Sequence, residues 1–355
     1  MIIYPSILII LIIFANLENY QKKNLKFELE IFIFLLIFFV GLRDATGGDY
    51  YTYLDIFKNS QNYIKNFNFV ADIGLIYLTE IIKQFSSNFY FFCLIISFIN
   101  FLCLRYFLLK INSYNYFSII ISFQPFIIFL YMGYLKQGLA LSFILISICF
   151  IYTKKFHFFV LFFIISVLFH KSALIFILFV FLFFNLKKIS ILLIFFFTLI
   201  IFLLFIYFYY DEISRLFYFY IGQGNYFTSK GALPRVTSNL FIIFISYIYL
   251  ISQNYFKQNK DNYFHKFIFI YLINCFIILI LLVLDYSTVA DRLNYYTIPL
   301  TLILLNIIIK ITKRNVFLLN GISLIYVIQL NIWLIYGSFS KYWVYNFFPN
   351  SCLIC

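Results

Sequence analysis

Long apolar runs, each ending in a short polar island, set the pattern of this chain. The runs occupy residues 2–17, 27–42, 71–84, 89–109, 116–134, 136–152, 156–169, 172–186, 189–209, 237–256, 265–284, 296–309 and 316–336. A straight transmembrane helix needs about 20 apolar residues, so several runs are short for a simple crossing. Between Tyr134 and Lys136, and at His170/Lys171, one run follows another with scarcely a linker. Such breaks predict tight helical hairpins, or broken helices whose freed backbone faces a cavity. The fold class expected is therefore all-α, a polytopic transmembrane helix bundle forming one domain over residues 1–355.

Basic residues between the runs set the expected sidedness. Lys22/Lys23/Lys26, Arg105/Lys110, Lys154/Lys155, Lys187/Lys188, Lys257/Lys260/Lys266 and Lys310/Lys313/Arg314 alternate correctly as cytoplasmic loops if 71–84 does not cross. That segment carries Asp72, Glu80 and Lys83, which suits a short interfacial or re-entrant helix. The count is then about twelve crossings with both termini outside. Met1–Leu17 has neither a basic leader nor a small-residue cleavage site, so it is expected to be a true span.

Most other charges fall on the outer side, including Arg43, Lys136, Lys171, Arg215, Lys230, Arg235, Arg292, Asp49 and Asp291. The inner charges read as topology signals; the outer ones read as chemistry.

Composition adds limits. With 65% hydrophobic and 11% charged residues the chain lacks the polar surface of a soluble protein of 355 residues. The net charge of +13 is spread over loops, and no basic soluble domain exists to engage nucleic acid. With 53 Phe and 32 Tyr, one aromatic residue carries little information. Cys93, Cys103, Cys149 and Cys275 lie within apolar runs as small hydrophobes, and Cys352/Cys355 have no second pair with which to build a metal site.

The outer islands contain the candidate residues. Arg43-Asp44 ends the second run, and Gly47-Gly48 permits a sharp turn before Asp49. Tyr50, Tyr53, Leu54 and Phe57 then recur at helical spacing, predicting an amphipathic helix at the membrane surface within an outer loop, 43–70. This island is either a helix cap with an interfacial anchor or one wall of a polar cavity. Lys136-Gln137-Gly138-Leu-Ala140 opens a helix, with Lys136 snorkelling or reaching an anionic ligand. His170 is the only histidine expected on the outer side, without the acidic partners of a zinc site. Asp291-Arg292 precedes Tyr295-Tyr296, and an arginine at a cavity mouth suits a phosphate because its planar fork binds two oxygens. A second outer loop, 210–236, carries glycines and Pro234-Arg235 and reads as a substrate-binding loop or lid. An Arg/Lys-rich membrane site without metal-ligand clusters suits a lipid-linked phosphate or diphosphate leaving group.

Taken in order, these motifs resemble the EpsG/Wzy-type polysaccharide polymerases. The matching pieces are Arg43 before Gly47-Gly-Asp49-Tyr50-Tyr-Thr-Tyr53-Leu-Asp-Ile-Phe57, then Asp72-Ile-Gly74, Lys136-Gln137-Gly-Leu-Ala140, Phe169-His170-Lys-Ser172-Ala173 and Arg292-Leu-Asn-Tyr295-Tyr296. Lys136 stands where the family usually has Arg, Asp72 where it has Glu, and Gly48 where Thr is commoner. Lys for Arg weakens bidentate phosphate binding.

The resemblance implies a GT-C-like, metal-independent glycosyltransferase without a cofactor. Its site would face the periplasm or exterior from a bacterial inner membrane. Donor and acceptor would be undecaprenyl-diphosphate-linked oligosaccharides, with a chain-length regulator and a flippase as further partners. Arg292 and Arg43 would stabilise the diphosphate, with Lys136 or Arg235 assisting and Gln137 in the same substrate site. Asp49 or His170 would be the general base, and Tyr50, Tyr53 and Tyr296 would line sugar or lipid surfaces. The competing readings are a flippase for lipid-linked oligosaccharide, a ligase moving finished glycan to another acceptor, and an acyltransferase centred on His170.

Overall fold

The computed structural model describes residues 1–21, 25–65, 73–183, 229, 231–258, 262–312 and 315–348. Asparagines start several helices: the side chains of Asn88, Asn115 and Asn315 accept the N–H groups of Tyr90, Ser118 and Phe317 at 2.8, 2.9 and 2.9 Å. Each cap satisfies a donor that the helix itself cannot, a contribution of about 1 kcal/mol. The resulting helices are α1 (Ile3–Gln21), α2 (Lys26–Gly41), α3 (Tyr50–Lys65), α4 (Ile73–Lys83), α5 (Phe89–Lys110) and α6 (Tyr116–Ser122). They continue as α7 (Leu135–Tyr152), α8 (Phe156–Phe169), α9 (Ala232–Ser252), α10 (Asn262–Val283), α11 (Ser287–Asn294), α12 (Ile298–Ile311) and α13 (Val316–Tyr336). Two-residue strands β1 (Arg43–Asp44) and β2 (Asn346–Phe347) pair antiparallel.

Eight helical stretches are long and apolar enough to cross a membrane among the described residues, and Phe156–Phe169 and Lys171–Val180 are shorter apolar helices. The chain is thus an all-α membrane bundle. The expected run at 189–209 lies outside the described residues. The helix over 73–83 is about 16 Å long, too short to cross, as its charges foretold.

Small hydroxyls join the helices where side chains would otherwise hold them apart. Ser97 donates to Ile37 O at 2.9 Å, Ser166 to Ala140 O at 2.7 Å and Ser142 to Asn100 Oδ1 at 2.8 Å. Cys93, Cys103, Cys149 and Cys275 are all buried as free thiols.

Three irregular segments shape one end of the bundle. Phe123–Gly133 winds as a π-helix, with Pro125 near its start removing an N–H that regular α winding would use. Tyr134, with φ −119° and ψ 67°, separates it from α7. Lys171–Phe183 is a 3₁₀ helix, separated from α8 by His170 in an extended conformation.

The apolar face of α3 rests on protein: Tyr50 meets Phe89 edge-on at 5.4 Å, and Phe57 lies 5.6 and 5.2 Å from Phe89 and Phe92. Those rings shield Tyr50, Tyr53, Ile56 and Phe57 from solvent, while Tyr51 stays 69% exposed. The expected loop 210–236 ends early, because α9 begins at Ala232. Pro234 falls in its first turn, where a missing N–H costs no helical hydrogen bond. Residues 210–228 and Lys230, with Arg215, Asp72 and Cys352/Cys355, lie outside the described residues.

The two ends of the bundle differ in chemistry. At one end Glu18, Lys26, Asn112, Asn115, Asn306 and Lys310 line a cavity of about 170 Å³. The residues of the outer islands gather at the other.

Candidate functional site

The link between α2 and α3 is built first. Arg43 is 1% exposed; its Nη1 donates to Val40 O at 2.6 Å and its Nε to Thr46 O at 3.2 Å. It thereby satisfies a carbonyl in the last turn of α2 and folds the chain back. Arg43, expected to line a cavity, is enclosed here by the link it folds, and its Nη2 has no hydrogen-bond partner among the described residues. Gly47 has φ +111°, and a Cβ there would stand 2.7 Å from Met132 O, so only glycine fits. Its N–H donates to Tyr342 O at 2.9 Å. The hydroxyls of Tyr50 and Tyr90 both donate to Asp44 Oδ1 at 2.9 Å, and Tyr53 is buried. Tyr50 and Tyr53, expected on a substrate surface, instead fasten this link to the core.

That construction presents Asp49 to the break before α7. Burial raises the Asp49 carboxyl above its ordinary value, while nearby Arg292 and Lys136 pull it back down. Both cations must therefore lie close enough to act on it. Lys136 sits in the first turn of α7 and is half-buried. The next residue, Gln137, is 3% exposed and donates its side-chain amide to Arg292 O at 2.6 Å. Residues some 155 positions apart are thus joined at one point.

Arg292 Nη1 lies 3.3 Å from His170 Nε2. A guanidinium has donors only, so this contact takes Nε2 as its acceptor, while the Ser172 backbone N–H, 3.3 Å from Nδ1, takes that nitrogen as one; the two contacts favour opposite tautomers. Ser172 Oγ stands 2.5 Å from that Nδ1 and donates in turn to Tyr296 Oη at 3.0 Å. Tyr296 is 1% exposed, so it supports the site from beneath.

Arg235 is already engaged. Its Nε and Nη2 grip Asp291 Oδ1 and Oδ2 at 2.9 and 2.6 Å, and Nη2 also donates to Ser229 Oγ at 2.9 Å. This bidentate pair ties α9 to α11 beside Arg292. Asn239 repeats the tie one turn on, donating to Asn294 Oδ1 and Thr297 Oγ1 at 2.8 Å each.

Asp49, Lys136, Gln137, His170, Arg292 and Tyr296 are therefore brought together, with Arg235 one residue away through Asp291, while Arg43, Tyr50 and Tyr53 serve the wall. Two parts were given no role in the sequence. Ser172 appeared only as part of a motif. Trp343 fills the space beside Gly48 and Gly133, coming within 2.6 Å of where a Gly133 Cβ would be. Among the described residues no group of three or more His, Cys, Asp or Glu side chains gathers.

A family model matches residues 26–349, nearly the whole chain, and it is that of the EpsG family. The chain belongs to the EpsG family. No curated protein and no solved structure shows significant similarity to it. Membership supports a polysaccharide polymerase-like, glycosyltransferase-like role for this EpsG-family protein, and its apolar helices make it a multi-pass membrane protein. The polar end just described brings together four of the motifs by which the sequence resembled that family.

Proposed function

We propose that this EpsG-family protein is a polysaccharide polymerase that joins undecaprenyl-diphosphate-linked oligosaccharide repeat units on the outer face of a bacterial inner membrane. It would do so without metal or cofactor, in a GT-C-like bundle of about twelve crossings. One observation carries the reading: Arg292, Lys136, Asp49 and His170, from four separate parts of the chain, meet at one end of a membrane bundle. Two cations beside two groups able to accept a proton suit displacement of an anionic leaving group by a hydroxyl.

In that reaction a hydroxyl of the acceptor repeat unit attacks the anomeric carbon of the donor chain. The new O–C1 bond forms as the bond from C1 to the phosphate oxygen breaks, and the electron pair leaves on the diphosphate. Arg292 neutralises the growing charge with Lys136 beside it, each worth most in a water-poor site. Asp49 or His170 takes the hydroxyl proton. Arg43 acts by holding the Asp49 loop, and Arg235 by holding Asp291 next to Arg292. A flippase and a chain-length regulator are the further partners proposed for it.

Gene deletion with complementation tests the proposal. Single repeat units in place of long surface glycan, rescued by wild type and not by Arg292→Ala at matched expression, are expected. Lipid-linked repeats trapped on the inner leaflet would instead mean a flippase, and an unchanged glycan would overturn the proposal.

A further inference from the structure

We propose that Arg292 masks the basic nitrogen of His170 until an anionic ligand claims the guanidinium, and that Ser172 sets the tautomer that makes the masking reversible. The inference rests on the diphosphate reading of this site and adds a regulation to it: the donor's own phosphate uncovers the base.

Both ring nitrogens of His170 are read by one helical face. Arg292 and Tyr296 are four residues apart on the continuous run α11 and Tyr295–Thr297, so their side chains lie one turn from each other. Arg292 reaches Nε2 directly, and Tyr296 reaches Nδ1 through Ser172. The backbone N–H of Ser172, 3.3 Å from Nδ1, favours the opposite tautomer, and the ring proton is assigned to the nearer Ser172 Oγ at 2.5 Å. The Ser172 hydroxyl can accept from Nδ1 because its own hydrogen is committed to Tyr296 Oη. Without that acceptor the imidazole could tautomerise, losing the proton from Nδ1 and taking one up at Nε2, and the nitrogen facing Arg292 would be a donor opposed to a donor.

Two of the contacts around Arg292 are unequal. Gln137 grips its backbone carbonyl at 2.6 Å, whereas its guanidinium meets Nε2 at 3.3 Å, just beyond the usual hydrogen-bond range. The main chain is anchored, and the guanidinium's contact with the imidazole is the weaker of the two, with Asp49 acting on the same guanidinium through its charge. A diphosphate offers the guanidinium two charged oxygens in a matching fork, a stronger partner than a neutral imidazole nitrogen. When the guanidinium turns to the phosphate, the Nε2 lone pair is exposed beside the donor. It then accepts the acceptor's hydroxyl proton as the O–C1 bond forms, giving an imidazolium whose Nδ1–H still points to Ser172. The base becomes available only when a donor is bound.

The test is spectroscopic and does not depend on turnover. The chain has three histidines, so His157→Gln with His265→Gln leaves His170 alone for ¹⁵N-histidine labelling and solid-state NMR in bilayers. The expected spectrum shows a protonated Nδ1 and a bare Nε2. Ser172→Ala should give mixed tautomers, and Ser172→Thr should restore the single one. Inorganic pyrophosphate should shift the Nε2 resonance and leave Nδ1 in place, and Arg292→Ala should show the shifted position without pyrophosphate. A protonated Nε2 in the parent, or an unchanged tautomer in Ser172→Ala, overturns the role of Ser172. Pyrophosphate that binds by ³¹P NMR without moving Nε2 overturns the masking alone. Pyrophosphate that fails to bind overturns the diphosphate reading, and the masking with it, while the tautomer result stands on its own.

Discussion

The side-chain amide of Gln137 holds the backbone carbonyl of Arg292 at 2.6 Å, across 155 positions of sequence. The bond sets where the arginine stands without occupying its guanidinium. Gln137→Leu removes the donor, a loss of about 0.5–1.5 kcal/mol. Polymerisation in membranes should fall roughly ten- to a hundredfold, since a shift near 1 Å at such a site is enough to do so. Protein abundance on immunoblots should be unchanged.

Arg235 and Asp291 stand or fall together. Removing either one strands the other in a mostly buried site, where breaking such a pair costs about 3–5 kcal/mol. Arg235→Ala and Asp291→Ala should each lower the melting temperature in detergent. The double replacement Arg235→Met with Asp291→Leu should recover most of that loss, and a double variant that melts no higher than the singles would refute the pairing as the cause.

The pH dependence of activity follows from Asp49. Its carboxyl titrates above its ordinary value, burial being the main cause, with Arg292 and Lys136 opposing. If the ionised form is needed, rate is lost as pH falls through that raised value, earlier than for a solvent-exposed aspartate. Asp49→Asn should abolish this acidic limb, and Arg292→Lys should leave it in place while lowering the rate. A limb that persists in Asp49→Asn assigns it to another group.

Lys136 stands where the resembling pattern has arginine. Lys136→Arg should therefore retain or raise polymerisation, and Lys136→Met should lose at least about tenfold, since a charge-assisted contact is worth roughly 1.5–3 kcal/mol. Dose–response with added lipid-linked donor would show whether the loss appears in KM or in kcat.

Trp343 is 2% exposed and rests against Gly48 and Gly133. Trp343→Ala should destabilise by about 3–5 kcal/mol, as large-to-small core changes do. Gly133→Ala should also be harmful, because the ring stands where the new methyl would go. Limited proteolysis near residues 43–49 would report the loosened link.

The bundle was readable in the chain because a bilayer leaves few options. Runs ending at Gly41, Lys110, Tyr152 and Phe169 became helices ending there, within about a turn of expectation. The site was legible in part for a related reason. Charged residues in an otherwise apolar chain have few uses, so Asp49, Lys136, His170 and Arg292 could be picked out and do converge. What the sequence hid was direction. Arg43 and Tyr50 look the same in one dimension whether they face a cavity or a helix end, and only the carbonyls of Val40 and Thr46 and the carboxylate of Asp44 decide it. Arg235 was misread as a loop residue because Pro234 precedes it, although proline is at home in a first helical turn. Ser172 and Trp343 carry no charge and acquire meaning only through their neighbours.

The pairing of β1 with β2 has a consequence for how the molecule is made. Arg43 and Asp44 find their strand partners at Phe347 and Asn346, and Gly47 finds its acceptor at Tyr342. A ribosome releases those partners some 300 residues after the loop they fasten. Through almost all of synthesis and insertion, the segment bearing Asp49 has no fastening to that end of the chain. The polar end is completed only once residues 342–347 have emerged, so a nascent chain, or one cut before them, is expected to be membrane-inserted yet inactive.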